Sequence, residues 1–132
     1  DLVSRADIVF SAAPLFEERF LMNRECVRQG KPLVDSAMYS MEGRIVPIVP
    51  GASACLSCLY PEIPPNWRRR FPVIGAVSAL AANIGAIEGI KILTGMSTSQ
   101  TNRMIYFDTA SMRFQTIKLK RNPECKVCGS IG

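Results

Sequence analysis

Two Cys-x-x-Cys pairs, Cys55/Cys58 and Cys125/Cys128, are the residues best suited to chemistry in this 132-residue chain. Within each pair the short spacing lets both sulfurs face one point, and together the pairs supply the thiolates that a tetrahedral zinc takes as ligands. Four sulfurs close the coordination shell and leave no position for a substrate water, so the expected ion is structural. The separation between the pairs far exceeds that of a simple zinc ribbon, so the metal would tie the middle of the chain to its end. Disulfides or unrelated thiols are the competing readings. Cys26, beside Val27 in a helical pattern, reads as a small buried apolar residue rather than a reactive thiol.

The absence of histidine excludes a histidine triad, a histidine-ligated metal and an imidazole proton shuttle. Arg68-Arg69-Arg70 next to Trp67 would attract phosphates or carboxylates, with the indole as a stacking surface. No recognised nucleic-acid motif surrounds them, the net charge is a modest +5, and nucleic acid is not an expected partner. Charges at Asp1, Arg5 and Asp7 interrupt the opening apolar residues, so there is no cleavable signal pattern and a cytoplasmic location is expected. The apolar stretch from Val73 to Leu93 contains Asn83, Glu88, Lys91 and many small residues, and predicts a packed core helix rather than a membrane span. In it, Glu88 is expected to pair with Lys91 at the helix's exposed edge rather than to act as an acid or base.

Positioning these residues requires the following elements. Asp7 to Ser11 is a short β-rich run, Leu15 to Gln29 repeats apolar residues at helical spacing, Gly30 suits a helix end, and Pro32 to Ser36 forms a second strand. A β-α-β unit of this kind makes its strands parallel neighbours. Gly43 to Pro50 reads as a further strand leading into the first cysteine pair, and about residues 61–72 form a proline-rich crossover loop expected to be mobile. The long helix follows, ended by Gly95. Arg103 to Asp108 and Arg113 to Leu119 then flank Thr109 to Met112 as an antiparallel hairpin before the second cysteine pair. The expected fold class is α/β: a Rossmann-like sheet fragment with a long core helix, an antiparallel hairpin and a four-cysteine zinc clamp. With 48% apolar residues, 1–132 can bury one core as a single domain.

Several stretches together resemble the carboxy-terminal half of the ThiF/MoeB/HesA proteins, which share their fold with ubiquitin-activating enzymes. They are Asp7-Ile8-Val9 with Arg19 and Asn23; Gly30-Lys31-Pro32-Leu33-Val34; Glu42-Gly43-Arg44-Ile45 leading to Cys55-Leu56-Ser57-Cys58-Leu59-Tyr60-Pro61; Ala86 to Gly95; and Phe107-Asp108 with Leu119 to Gly129. The resemblance implies ATP-dependent adenylation of the carboxy-terminal glycine of a ubiquitin-like sulfur-carrier protein, or of a peptide. It also implies magnesium-ATP as cosubstrate and a homodimer with one structural zinc per subunit. Arg19 and Asn23 share a helix face that in the family points toward the nucleotide side, which makes them cofactor-binding candidates. By themselves they read as a solvated face with Glu18 and Arg19 exposed, and only the resemblance gives the two readings equal weight.

Three departures bear on activity. No G-x-G-x-x-G occurs, so magnesium-ATP is expected to bind only if a nucleotide-binding half is supplied. Where the family usually carries an Asp-Asn pair whose aspartate holds magnesium, this sequence aligns Pro14-Leu15; Glu17 or Glu18 would have to substitute, although both also suit a helix first turn. Phe71 stands in the stretch where some relatives place a nucleophilic cysteine, which favours an adenylation-only, MoeB-like role. The alternative is a catalytically inactive, zinc-stabilised interaction module or pseudoenzyme that keeps the carrier-binding and dimer surfaces.

Overall fold

The computed structural model describes residues 1–96 and 101–131. After a 3-10 turn at Val3–Arg5 come β1 (Val9–Ser11), α1 (Phe16–Gln29), β2 (Leu33–Tyr39), β3 (Glu42–Ile48), α2 (Leu56–Leu59), α3 (Gly75–Thr94), β4 (Arg103–Asp108) and β5 (Arg113–Lys118). The strands lie in one sheet in chain order. β1 and β2 are parallel, with Val9 opposite Leu33, as the α1 crossover requires; every later pairing is antiparallel. The mixed α/β fold, the crossover and the closing hairpin agree with the sequence reading.

Side chains alternate across a pleated strand, and here that alternation divides the core in two. Leu33, Val46 and Ile48 face α1 and the cysteine pairs, packing with Cys26, Val27 and Leu56. Their neighbours Val34 and Ile45 face the other way, against Val77 and Ala81 of α3 and Phe107 of β4. The molecule is therefore layered, with α3 on one side of the sheet and α1 with the cysteine pairs on the other.

Helix α1 stops at Gly30, whose φ of 66° lies in the left-handed region. The following backbone N–H, of Lys31, reaches the Cys26 carbonyl at 2.9 Å and closes the last turn. Glu17 and Glu18 sit in the first turn, where the helix dipole favours negative charge.

Helix α3 differs from the sequence expectation of a packed core helix. Val77, Ala81, Gly85, Glu88 and Gly89 form its buried line, while Ile87, Ile90 and Leu93 remain about half exposed. The cause is its small residues: Gly85 and Gly89 admit Ser36 and Phe10 of the sheet so closely that only one narrow stripe is covered. By length and composition alone this helix would suffice to cross a bilayer, yet its buried stripe packs on β2 and β3. Glu88 does pair with Lys91, at 2.7 Å, but the carboxylate is buried rather than at an exposed edge.

Gly43 lies directly beneath the buried Phe107 ring, where a Cβ would overlap the ring atoms. Gly43→Ala should therefore lower unfolding stability by about 1–3 kcal/mol. Gly89→Ala should cost less, because the Phe10 ring it would strike is half exposed and free to swing away. Urea unfolding of both variants measures the difference, and equal midpoints would contradict this packing.

Candidate metal centre and cleft

Strand β3 delivers the chain to Cys55 and α2 carries Cys58, while Cys125 and Cys128 follow β5. The four sulfurs lie within 4.8 Å of one another. Cys55 Sγ is 3.7 Å from Cys125 Sγ, and Cys58 Sγ is 3.4 Å from Cys128 Sγ. Tetrahedral ligands at a zinc–sulfur distance of about 2.3 Å would be about 3.8 Å apart. The four thiols thus form a cluster of the right size and chemistry for a thiophilic divalent ion, with no disulfide among the described cysteines.

Protonation also separates the members of the cluster. Burial pushes the Cys55 and Cys58 thiols up from the usual range. At Cys125 burial acts in the same direction but is outweighed by the backbone N–H groups of Cys128 and Val127, which bring it down to about 7. Cys26 lies in the same apolar cluster but outside the metal group, and burial raises its thiol to about 11, which suits an inert core residue.

Backbone geometry holds both knuckles. The Asn122 N–H donates to Cys58 Sγ at 3.4 Å, and a Cβ at Gly129 would strike the Pro123 and Cys125 carbonyls. Asn23, fully buried on α1, accepts the Leu56 N–H at 2.9 Å and donates to Ser57 Oγ at 3.3 Å. Both ends of its amide are therefore engaged by the first knuckle. Asn102 accepts the Ala54 N–H at 2.7 Å and donates to the Ala52 carbonyl at 3.1 Å, while Arg121 links the Gly51, Cys128 and Ile131 carbonyls. Asn102 did not stand out in sequence, and Arg121 did so only within the family-like ending, since an amide and a guanidinium near turns look like ordinary solvated groups.

One turn before Asn23, Arg19 is buried, and its guanidinium meets both oxygens of Asp35 on β2 at 3.0 and 2.5 Å. The solvated-face reading therefore fails for Arg19, although Glu18 is exposed as that reading expected. The guanidinium lies 4.5 Å from the centre of the Phe16 ring. Phe16 meets Tyr60 and Trp67 edge to face at 5.2 Å each, and Trp67 continues the aromatic series to Phe71 and Tyr39. Trp67 is thus packed within the protein instead of presenting a free stacking surface, while Arg68, Arg69 and Arg70 are exposed.

Arg19 and Trp67 stand between two cavities and line both. The first, of about 340 Å³, is bounded by Tyr39, Glu42, Arg44 and Tyr60, with Arg44 donating to the Tyr60 hydroxyl at 2.8 Å. The second, of about 400 Å³, lies at the carboxyl end of β1, the usual ligand position in open α/β sheets. Pro14 and Phe71 line it, no carboxylate does, and Glu17 and Glu18 project elsewhere as exposed residues. The described residues of this cavity therefore do not suit a magnesium ion, which takes oxygen ligands and usually a carboxylate.

The sequence profile of the ThiF family matches residues 1–127. The chain belongs to the ThiF family. Protein HesA of a Nostoc species is 43% identical over 98% of the chain and 51% of its own length. The sulfur carrier protein adenylyltransferase of Thermus thermophilus is 31% identical over 93% of the chain and 49% of its own length. Among solved structures, Escherichia coli MccB with AMPCPP and selenomethionine MccA superposes with a TM-score of 0.79 at 25% identity, covering 94% of this chain and 40% of MccB. The chain spans about half the length of the curated relatives it matches.

For this ThiF-family chain, Asp35→Ala should destabilise the fold by about 3–5 kcal/mol, because it strands a buried guanidinium. Replacing both partners, Arg19→Met with Asp35→Leu, should recover most of that loss; chemical denaturation of the three proteins tests it. Cys125→Ser should abolish bound metal and lower the unfolding midpoint, because metal affinity becomes folding free energy. Elemental analysis of protein prepared under reducing conditions reads the metal directly, and acidification should release it as the thiolates are reprotonated.

Proposed function

We propose that the chain forms the substrate-docking, metal-clamped half of an enzyme that adenylates the terminal carboxylate of a ubiquitin-like sulfur-carrier protein or a peptide. In that reaction the carboxylate oxygen attacks the α-phosphate of ATP and pyrophosphate leaves. The observation that carries the reading is the cavity at the carboxyl end of β1, walled by α3 and the crossover loop. Family membership supports the chemistry, as do a relative named for sulfur-carrier adenylation and a structural neighbour holding both AMPCPP and MccA.

The residues have separable tasks in this reading. Cys55, Cys58, Cys125 and Cys128 would hold zinc as a closed clamp that takes no part in the reaction. Arg19 braces the wall between the cavities through Asp35, and Phe16, Tyr60 and Trp67 exclude water from it. Asn23 is a fastener of the clamp rather than a nucleotide contact. The glycine-rich turn for ATP would lie outside these 132 residues, and Pro14 offers magnesium no ligand. The exposed apolar line of α3 supports assembly as a homodimer.

Pro14 and the acid-free cavity also favour a second reading, an inactive zinc-stabilised interaction module. Isotope exchange between pyrophosphate and ATP, run with the full-length protein and a carrier, separates the two. Carrier-dependent exchange establishes adenylation. Carrier binding without exchange establishes the module, and magnesium-ATP should show no saturable calorimetric binding to the 132-residue chain alone.

A further inference from the structure

From Ile63 to Ile87 the chain carries no charge except Arg68, Arg69 and Arg70. All three side chains are exposed, and no hydrogen bond, ion pair or ring contact engages any of them among the described residues. Arg19, Arg28, Arg44 and Arg121, by contrast, each donate to an acceptor within the protein.

The loop that carries the triplet is fastened on both sides of it. Trp67 packs 5.2 Å from the Phe16 ring and 5.1 Å from the Phe71 ring, and Phe71 stacks on Tyr39 at 6.0 Å. Just beyond, the Pro72 carbonyl accepts the Ser40 N–H at 2.9 Å, and Val73 pairs with Ser40 as a parallel bridge. Three permanent positive charges are thus held next to one another on a backbone tied to α1 and to the turn between β2 and β3. Anchoring lowers the ordering cost of any contact made there.

The surroundings of the triplet specify its partner. None of the three arginines lines either cavity, so a small anion would find no enclosing wall. A nucleic acid would call for a longer run of cations and an aromatic free to stack, yet Trp67 is packed between Phe16 and Phe71. Exposed aliphatic residues flank the triplet instead: Ile63 before it, Val73 and Ile74 after it, at 39%, 60% and 41% exposure. Arginine combined with apolar surface is the composition of protein-recognition patches, and a guanidinium fork matches a carboxylate.

We propose that Arg68, Arg69 and Arg70, with Ile63, Val73 and Ile74, form a docking surface for an acidic protein segment whose carboxylates are bracketed by apolar residues. The arginines supply attraction and register, and the aliphatic side chains supply the area that is buried. Trp67 and Phe71 line the second cavity, so a partner held here stands at its rim whether or not the protein adenylates a carrier.

The probe is an end-blocked, fluorescein-labelled peptide, Leu-Glu-Glu-Glu-Glu-Leu, titrated with full-length protein and followed by anisotropy. Saturable binding is expected at low salt, weakening as sodium chloride passes about 0.1 M, where exposed charges are screened within about 10 Å. Arg68→Gln, Arg69→Gln and Arg70→Gln together should weaken it at least about tenfold and leave the thermal midpoint unchanged, because none of the three has an internal partner. Arg68→Glu, Arg69→Glu and Arg70→Glu together should transfer the preference to the peptide with lysine in place of glutamate. Tetraglutamate without the leucines should bind more weakly than the full probe. Unchanged affinity in the glutamine variant, a fallen midpoint, equal affinity for bare tetraglutamate, or tighter capture of a labelled oligothymidylate of equal charge each overturns the surface.

Discussion

Four thiols must meet in one small volume, and most of the architecture on one side of the sheet serves that meeting. Burial makes the Cys55 and Cys58 thiols resist ionisation, whereas a divalent ion held by all four sulfurs would turn the same burial into stability. Satisfying this constraint requires β3 to end beside α1, the hairpin β4–β5 to return the chain to the same corner, and Arg121, Asn102 and Asn23 to hold the loops between. The sheet order, without a single strand crossing another in sequence, follows from a chain that must bring its middle and its end together.

Polar groups in this interior are treated in two contrasting ways. Arg19 and Asp35 are charged and deeply buried, and each is matched to the other with fork-like geometry. A well-matched buried pair gives little net stability but makes departures from its geometry costly, which is suited to a wall between two cavities. Beside the second cavity, at the end of β1, the Ser11 hydroxyl is equally buried and has no hydrogen-bond partner among the described residues. Mutual satisfaction marks the scaffold, and its absence marks the place where the scaffold stops accounting for itself.

The elements legible in sequence were those governed by local rules. The β-α-β opening, the glycine stop at Gly30 and the closing hairpin depend on periodicity and turn chemistry within a short window. The cysteine cluster was legible because thiol spacing is a strong code. What escaped depends on partners far apart in sequence. Arg19 looked solvated because Asp35 lies on a neighbouring strand, and α3 looked fully packed because its apolar residues surround the helix while its glycines restrict contact to one stripe. Asn23 read as a nucleotide contact through resemblance alone; its amide also holds Leu56 and Ser57, a pairing no spacing rule announces.

Arg19, Asn23 and Cys26 occupy successive turns along the buried line of α1, and each belongs to a different structure: the cleft wall, the first knuckle and the apolar cluster behind the sulfurs. An α-helix is stiff, rising about 1.5 Å per residue with little give along its axis. These three parts therefore share one mechanical coordinate, the axial position and rotation of a single rod. A slip that loosened the knuckle would carry the guanidinium with it, so the clamp at one end sets the gauge of the cleft at the other.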